Sequence, residues 1–363
     1  SAGPQREETR EGAGKTATMT TEPSHKIKNL LISLAVLAAV GVAVWAALSL
    51  DPTGQRGAGT GRNYEKEFQK LKKFDLSLVK WAEVLPAIPT KMESPVAMAV
   101  FSNGDICIGG DKVIAILSPD GREIKRIDAA TAPQALAIAD KTIFAASQNA
   151  VTVLDTEGQT QAQWSPLDDN ARIVSLGVSD EYVYAADAGN RVVVRYDRKT
   201  GKRTFKDGRS DSGAFMSGFN VPSPHLDLAV TPEGQLLTVD PGRSLVQIRD
   251  NYGDILKSWG SEGSHITKFY GCCNPAAIAV LDDKKVVTYE KTLQRVKIYS
   301  LEGELAEVAA GPNEFTDQPA DSHIACDIAV DRDGRILVLD PIRKTVRIFK
   351  RKIAPRPTTG AAR

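Results

Sequence analysis

The sequence predicts an all-β fold, a six-bladed β-propeller preceded by a single N-terminal transmembrane helix. Three observations carry this: a three-strand cassette repeated six times, a small residue at one fixed place in every copy, and one long apolar run near the N-terminus. The clearest copy, Asp327 to Lys350, reads DIAVDRDGRILVLDPIRKTVRIFK. Its runs Ile328 to Val330, Arg335 to Leu339 and Thr345 to Phe349 are rich in β-branched residues and bounded by turn signals, the composition of short strands. Asp333-Gly334 predicts a two-residue hairpin turn, because glycine tolerates the positive φ such a turn requires. Pro341 falls in the second connection, where its missing N–H breaks no ladder.

The same unit recurs upstream. One copy has Leu228 to Val230, Leu236 to Val239 and Leu245 to Ile248, with Glu233-Gly234 and Asp240-Pro241 at its corners. Another has Ile278 to Val280, Val286 to Tyr289 and Val296 to Tyr299, with Asp282-Asp283-Lys284 in place of the glycine turn and Glu290 in place of the corner Asp. Weaker copies begin at Leu176, Leu136 and Met98. Aligning the small residue of each first strand gives Ala99, Ala137, Gly177, Ala229, Ala279 and Ala329, at intervals of 38, 40, 52, 50 and 50 residues.

One such meander cannot bury both of its faces, so the copies must shield one another. A small residue in the first strand suits a ring, in which first strands crowd round a central channel. Further apolar runs, Glu123 to Ile127, Gln161 to Trp164, Ile255 to Trp259 and Glu304 to Val308, supply a fourth, outer strand. The last copy instead runs into Lys350-Arg351-Lys352 and a tail with Pro355 and Pro357. The strand-like run Leu78 to Leu85 is expected to supply its missing outer strand, closing the ring and removing exposed edges.

The pattern Pro, Ile-Ala-Val, Gly, Ile-x-Val-x-Asp and Arg-Val-x-Val/Ile-Phe/Tyr, strongest in the last three copies, resembles the NHL repeat. That resemblance covers roughly Ser94 to Lys350 and implies a six-bladed NHL-type propeller, as in membrane-anchored bacterial NHL-repeat proteins. It implies little about function, since one fold hosts many.

Ahead of the repeats, Leu30 to Leu50 is apolar almost throughout. As a helix it would extend about 31 Å, the thickness of a hydrocarbon core, and it exceeds the usual apolar core of a cleaved signal peptide. Lys26 and Lys28 flank its N-terminal end, which predicts a cytoplasmic N-terminus and an extracytoplasmic propeller, periplasmic in a bacterium. The expected organisation is a disordered tail over 1–28, a signal anchor over 29–50, a linker with a short amphipathic helix over 51–77, a propeller over 78–352 and a disordered tail over 353–363. Tyr64, Phe68 and Leu71 set the helical spacing, and glycines 54, 57, 59 and 61 set the flexible spacer. A net charge of +1 provides no global field for nucleic acid.

Connections entering the last three copies are long: Lys206 to Pro224, Gly260 to Pro275 and Gly311 to Ala325. In a propeller they crowd one side of a single face, where a scaffold carries function. They and the adjoining strand starts hold His225, His265, His323, Cys272, Cys273 and Cys326. His225, Cys273, His323 and Cys326 are the candidate metal ligands, of types that suit zinc or copper. Asp227, Tyr270, Tyr289, Glu290, Arg243, Arg295 and Arg343 share that face as candidate binding groups beside His225, Cys272 and Cys273. For Arg191, Arg295 and Arg347 the alternative is an intrablade salt bridge to Asp187, Glu290 or Asp340.

The adjacent Cys272 and Cys273 leave several states open: a strained vicinal disulfide, a bridge from one of them to Cys326, metal ligation or free thiols. Cys107 is expected to be a buried core thiol. Pro224-His225-Leu226 and Cys272-Cys273-Asn274-Pro275 resemble strand-entry segments of peptidyl-hydroxyglycine amidating lyases, NHL-type propellers with a histidine-held channel zinc. That resemblance implies a metal-dependent enzyme, although a third inner-strand histidine is not evident here. No GxSxG elbow, P-loop or HExxH helix occurs. The functional expectation is a membrane-tethered, non-catalytic scaffold binding a protein or peptide partner within a membrane complex. The alternative is a metal- or redox-dependent enzyme or electron-transfer accessory.

Overall fold

The computed structural model describes residues 25–49, 68–204, 215–315 and 325–352. Two units are distinguished, one over residues 1–69 and one over 70–363. The first contains the helix α1, His25–Ser49. Over Lys26–Trp45 it is long and apolar enough to cross a membrane. Residues 25–28, expected in the disordered tail, belong to this helix, which continues beyond the apolar run that nucleates it. Residues 68–71 form a helical turn. The remainder of the expected linker up to residue 67, including Tyr64, and the tails 1–24 and 353–363 lie outside the described residues.

The second unit is a ring of six four-stranded antiparallel sheets. The inner strands are Pro95–Val100, Ala135–Ala139, Ile173–Val178, Leu228–Val230, Ala277–Val280 and Asp327–Val330, opening blades one to six. The outer strands expected from the apolar runs are present in blades one, two, four and five as Glu123–Asp128, Thr160–Gln163, Ile255–Trp259 and Leu305–Ala310. Blade three ends in the two-residue strand Arg203–Thr204, too short to register as a periodic run.

Blade six takes its outer strand from the N-terminal side. Trp81–Pro89 pairs antiparallel with Thr345–Arg351, from Trp81 opposite Arg351 to Pro89 opposite Thr345. The expected closure therefore holds, displaced by three residues. The ladder is interrupted between Val84 and Ile88, where Pro86 cannot donate.

The hairpin at Asp333-Gly334 differs from the two-residue expectation. The Asp331 N–H donates to Arg335 O at 3.1 Å and the Gly334 N–H to Asp331 O at 2.9 Å, while Gly334 takes a φ of 67°. That is the longer loop in which a left-handed residue follows an ordinary turn. Lys284, which replaces the glycine in blade five, adopts a φ of 61°.

Alternation along the strands sends apolar side chains to both faces of each sheet, and each face packs on the neighbouring blade. The core accordingly consists of clusters between blades. Ile106, Ile108, Leu337 and Ile348 join blades one and six; Cys107, Ile114, Leu136 and Ile143 join blades one and two. Burial pushes the Cys107 thiol up to about 12, so it behaves as an inert core residue. At Gly177 an added Cβ would approach Leu228 Cδ1 of the next blade to 2.4 Å, which accounts for the smallest residue in the inner-strand alignment.

Trp81 lies in the cluster between blades five and six and its indole N–H donates to Glu307 Oε2 at 2.7 Å. Truncation of Trp81 to alanine is expected to cost about 3–5 kcal/mol. A urea-unfolding midpoint unchanged by that substitution would show that the closing strand does not support the ring.

Candidate functional site

The starts of all six inner strands line one mouth of the central channel, a cavity of about 540 Å³. Its polar lining includes Gln134, Arg172, Ser175, His225, Asp227 and Asp327. The key position is the residue just before the outward-facing N–H of each inner strand. It is Ala97, Ala135, Ser175, Asp227, Ala277 and Asp327 in blades one to six, by the aligned registers.

At three of these positions the side chain reaches the next blade. The Leu228 N–H donates to Ser175 Oγ at 3.4 Å, the Ile278 N–H to Asp227 Oδ2 at 2.6 Å and the Met98 N–H to Asp327 Oδ2 at 2.7 Å. Each aspartate also accepts from the residue that follows it, Asp227 from Leu228 and Asp327 from Ile328, both at 2.8 Å. An inner strand has no neighbour on its channel side, and these side chains satisfy edge N–H groups that would otherwise lack a partner.

This service comes at an electrostatic cost. Both residues are half-buried at the channel wall, with protein around their carboxylates. Burial pushes Asp227 up to about 6, and burial together with the Asp227 charge pushes Asp327 up to about 8. Near neutral pH the pair shares protons as a coupled unit.

His225, Asp227 and Cys326 come together around this cavity. His323 lies outside the described residues. Cys273 is buried and does not line the channel mouth, and among the described residues no group of three His, Cys, Asp or Glu side chains is placed to hold a metal ion. Cys272 is exposed and Cys273 buried, and neither is disulfide-bonded. Contact with the Cys273 thiol raises the pKa of Cys272. His265, on the exposed loop, pairs its Nδ1 with Thr267 Oγ1 at 2.8 Å.

Other candidate binding groups are interior. Tyr289, Glu290 and Arg295 are buried. Arg295 grips Glu290 through Nε at 2.9 Å and Nη2 at 2.7 Å, the intrablade salt bridge that was the alternative reading of this arginine. Tyr289 lies beside Cys326, and burial holds its phenol well above the ordinary value. Arg347 grips Glu83 of the closing strand, with Nη2–Oε2 at 2.7 Å, and stands 3.9 Å from Asp340. Arg191 is exposed; Asp187 instead accepts the Arg172 N–H at 2.8 Å. Arg243 and Arg343 pair with the buried corner residues Asp240 and Asp340, and Arg243 also donates to Gly218 O at 2.9 Å.

Tyr270 shows what the interior charges do: its N–H donates to Glu290 Oε1 at 2.7 Å. Lys297, wholly buried, sits 3.0 Å from Glu290 Oε2, donates to Lys268 O at 2.6 Å and Ile266 O at 3.3 Å, and lies 4.4 Å above the Phe269 ring. Burial pulls its pKa down to about 8. The corner carboxylate and the lysine thus clamp the loop entering blade five from below. Phe315 plays the part of Phe269 under Arg347, 4.6 Å away.

Sequence reasoning missed Asp327, Ser175, Arg172 and Gln134. Asp327 and Ser175 were recoverable, since both occupy the register of Asp227; Arg172 and Gln134 lie outside it.

No protein-family model and no curated protein sequence matches the chain. Solved structures share the shape. A structural-genomics protein of unknown function from Bacteroides thetaiotaomicron superposes with a TM-score of 0.52 at 14% identity, over 75% of this chain and 72% of that one. Virginiamycin B lyase from Staphylococcus aureus gives 0.49 at 11% identity, over 76% and 99%, and a streptogramin B lyase 0.48 at 14%, over 71% and 79%. At 14% identity the first of these shows a likeness of fold alone.

The raised carboxyl pKa values set a pH dependence. The folded state holds protons that the unfolded state releases near pH 4, so this contribution to stability is complete below about pH 4 and is lost as pH rises through about 6 to 8. Asp327→Asn removes the charge and keeps one oxygen acceptor, enough for either the Met98 or the Ile328 N–H, which in the parent use different carboxylate oxygens. It is expected to flatten the decline in stability between pH 5 and 8. Parallel melting-temperature curves for the two proteins between pH 5 and 8 would contradict the coupling.

Proposed function

We propose that the chain is an NHL-type propeller held at a membrane by its N-terminal apolar helix, with the propeller outside the cytoplasm. It acts as a non-catalytic binding module that receives a protein or peptide on the face carrying the long loops and the channel mouth. The observation that carries this reading is the clamp beneath the loop entering blade five. A buried ion pair or triad seldom adds net stability, yet here Glu290, Arg295 and Lys297 are all buried and two of them hold the loop backbone. The gain is a surface loop with one fixed conformation, the preorganisation that reduces the ordering cost of recognition. Exposed Ser261, Glu262, Ser264, His265, Thr267 and Lys268 form its outward surface.

The two carboxylates at the channel mouth fit a binding role because backbone N–H groups already engage them, leaving each with acceptor capacity for a ligand. A redox reading has one observation in its favour, the exposed Cys272 thiol against the buried Cys273 thiol. Thiol counting before and after mild reduction, with mass mapping of the peptide holding both, separates a switchable pair from two permanent thiols.

For the binding reading, affinity capture from detergent-solubilised membranes is expected to recover a stoichiometric partner with the intact chain. It should fail when residues 261–268 are replaced by a glycine-serine segment of equal length. Equal recovery by both chains would remove this face from the interaction.

A further inference from the structure

The inner ring is chemically lopsided. Six equivalent edge N–H groups face the channel, and the residue at the key position, on the same blade or one blade back, supplies the side-chain acceptor where there is one. Ser175, Asp227 and Asp327 take those of Leu228, Ile278 and Met98, while the Ile328 N–H turns to its own blade's Asp327. Behind Leu136 and Leu176 stand Ala97 and Ala135, which have no acceptor to offer. Blades two and three therefore bring no side-chain acceptor to the Leu136 and Leu176 N–H groups among the described residues, and Gln134 and Arg172 line the cavity beside them. The Arg172 guanidinium is steadied at the rim by its Nη1 bond to Ala171 O at 2.8 Å. Across the ring, blades four and six present carboxylates, and Val96, Met98 and Val174 supply apolar wall between the two ends.

We propose that this mouth binds a short zwitterionic peptide, its carboxylate on the Leu136 and Leu176 N–H groups beside Arg172 and its ammonium between Asp227 and Asp327. Backbone N–H groups and a guanidinium are the usual partners of a carboxylate, and an ammonium is matched by two carboxylates that keep acceptor capacity beyond their backbone N–H partners. Two or three extended residues span about 7–11 Å, and a cavity of about 540 Å³ is in the range that encloses such a ligand. The proposal rests on the binding role of this face and names the ligand chemistry of its centre.

The test is calorimetric titration of the full chain in detergent with triglycine, N-acetyl-triglycine and triglycinamide. Triglycine is expected to bind, and loss of either terminal charge to weaken it at least about tenfold. Asp327→Asn should weaken triglycine and leave N-acetyl-triglycine unchanged. Ala135→Ser copies the Ser175 device, closes the Leu176 N–H and should weaken triglycine and N-acetyl-triglycine alike while leaving the melting temperature intact. Equal binding of all three peptides, or no heat with triglycine at about 10 mM, overturns the proposal. Partner capture that still depends on residues 261–268 in the face of that result leaves the binding role standing and removes only the zwitterion.

Discussion

No blade of this propeller owns a core. Each hydrophobic cluster is built by two neighbouring sheets, such as Leu237, Val239, Ile278 and Val286 between blades four and five or Tyr184, Val193, Leu228 and Leu236 between blades three and four. A single four-stranded sheet in isolation would leave two apolar faces wet, so no copy is expected to be stable alone. The arrangement needs a last partner for the last blade, and Trp81–Pro89 provides it by joining the N-terminal side of the ring to the C-terminal strand. Closure and core formation are therefore one event, and edge strands that would invite wrong pairing are confined to the short rims.

Closing the ring creates a second problem at its centre. Six inner strands end up with no strand on their channel side, and their outward N–H groups need acceptors. Ser175, Asp227 and Asp327 answer this by bonding to the next blade, which ties blade three to four, four to five and six to one. The aspartates carry charge into a poorly solvated channel, which is why their carboxyls hold protons so tenaciously. A feature that solves a backbone problem also concentrates proton-binding groups at the one place every blade shares.

Much of the architecture was legible because repetition amplifies weak signals. Three β-branched runs mean little once, but six copies with Ala or Gly at a fixed place require crowded first strands. The closing strand was legible as the complement of the last copy's missing fourth run. Its start shifted by three residues because strand limits depend on which partner groups face it, and that information lies in blade six. The candidate site was read less well. Tyr289, Glu290 and Arg295 looked like face residues from their corner positions, yet their side chains turn into the blade, and only the register of neighbouring strands reveals the direction. Asp327 escaped notice because it opens a strand that reads as ordinary repeat, although its alignment with Asp227 carried the information.

The departures from the repeat are where specificity resides. A perfectly repeating ring would carry the same residue before every outward N–H and would have a channel of uniform chemistry. Three alanines, one serine and two aspartates at that place instead give the mouth a donor side and an acceptor side. In the same way, Glu290 and Lys297 appear at the corner and third strand of the blade whose incoming loop must be held, with Phe269 beneath the ammonium, whereas blades one and two carry Ala115 and Thr152 at the position of Lys297 by register. Buried charge is costly wherever it stands, so a buried glutamate, arginine and lysine gathered beneath one incoming loop are a structural commitment to holding that loop. The scaffold is supplied by what the copies share, and the capacity to recognise a partner by the few positions at which they differ.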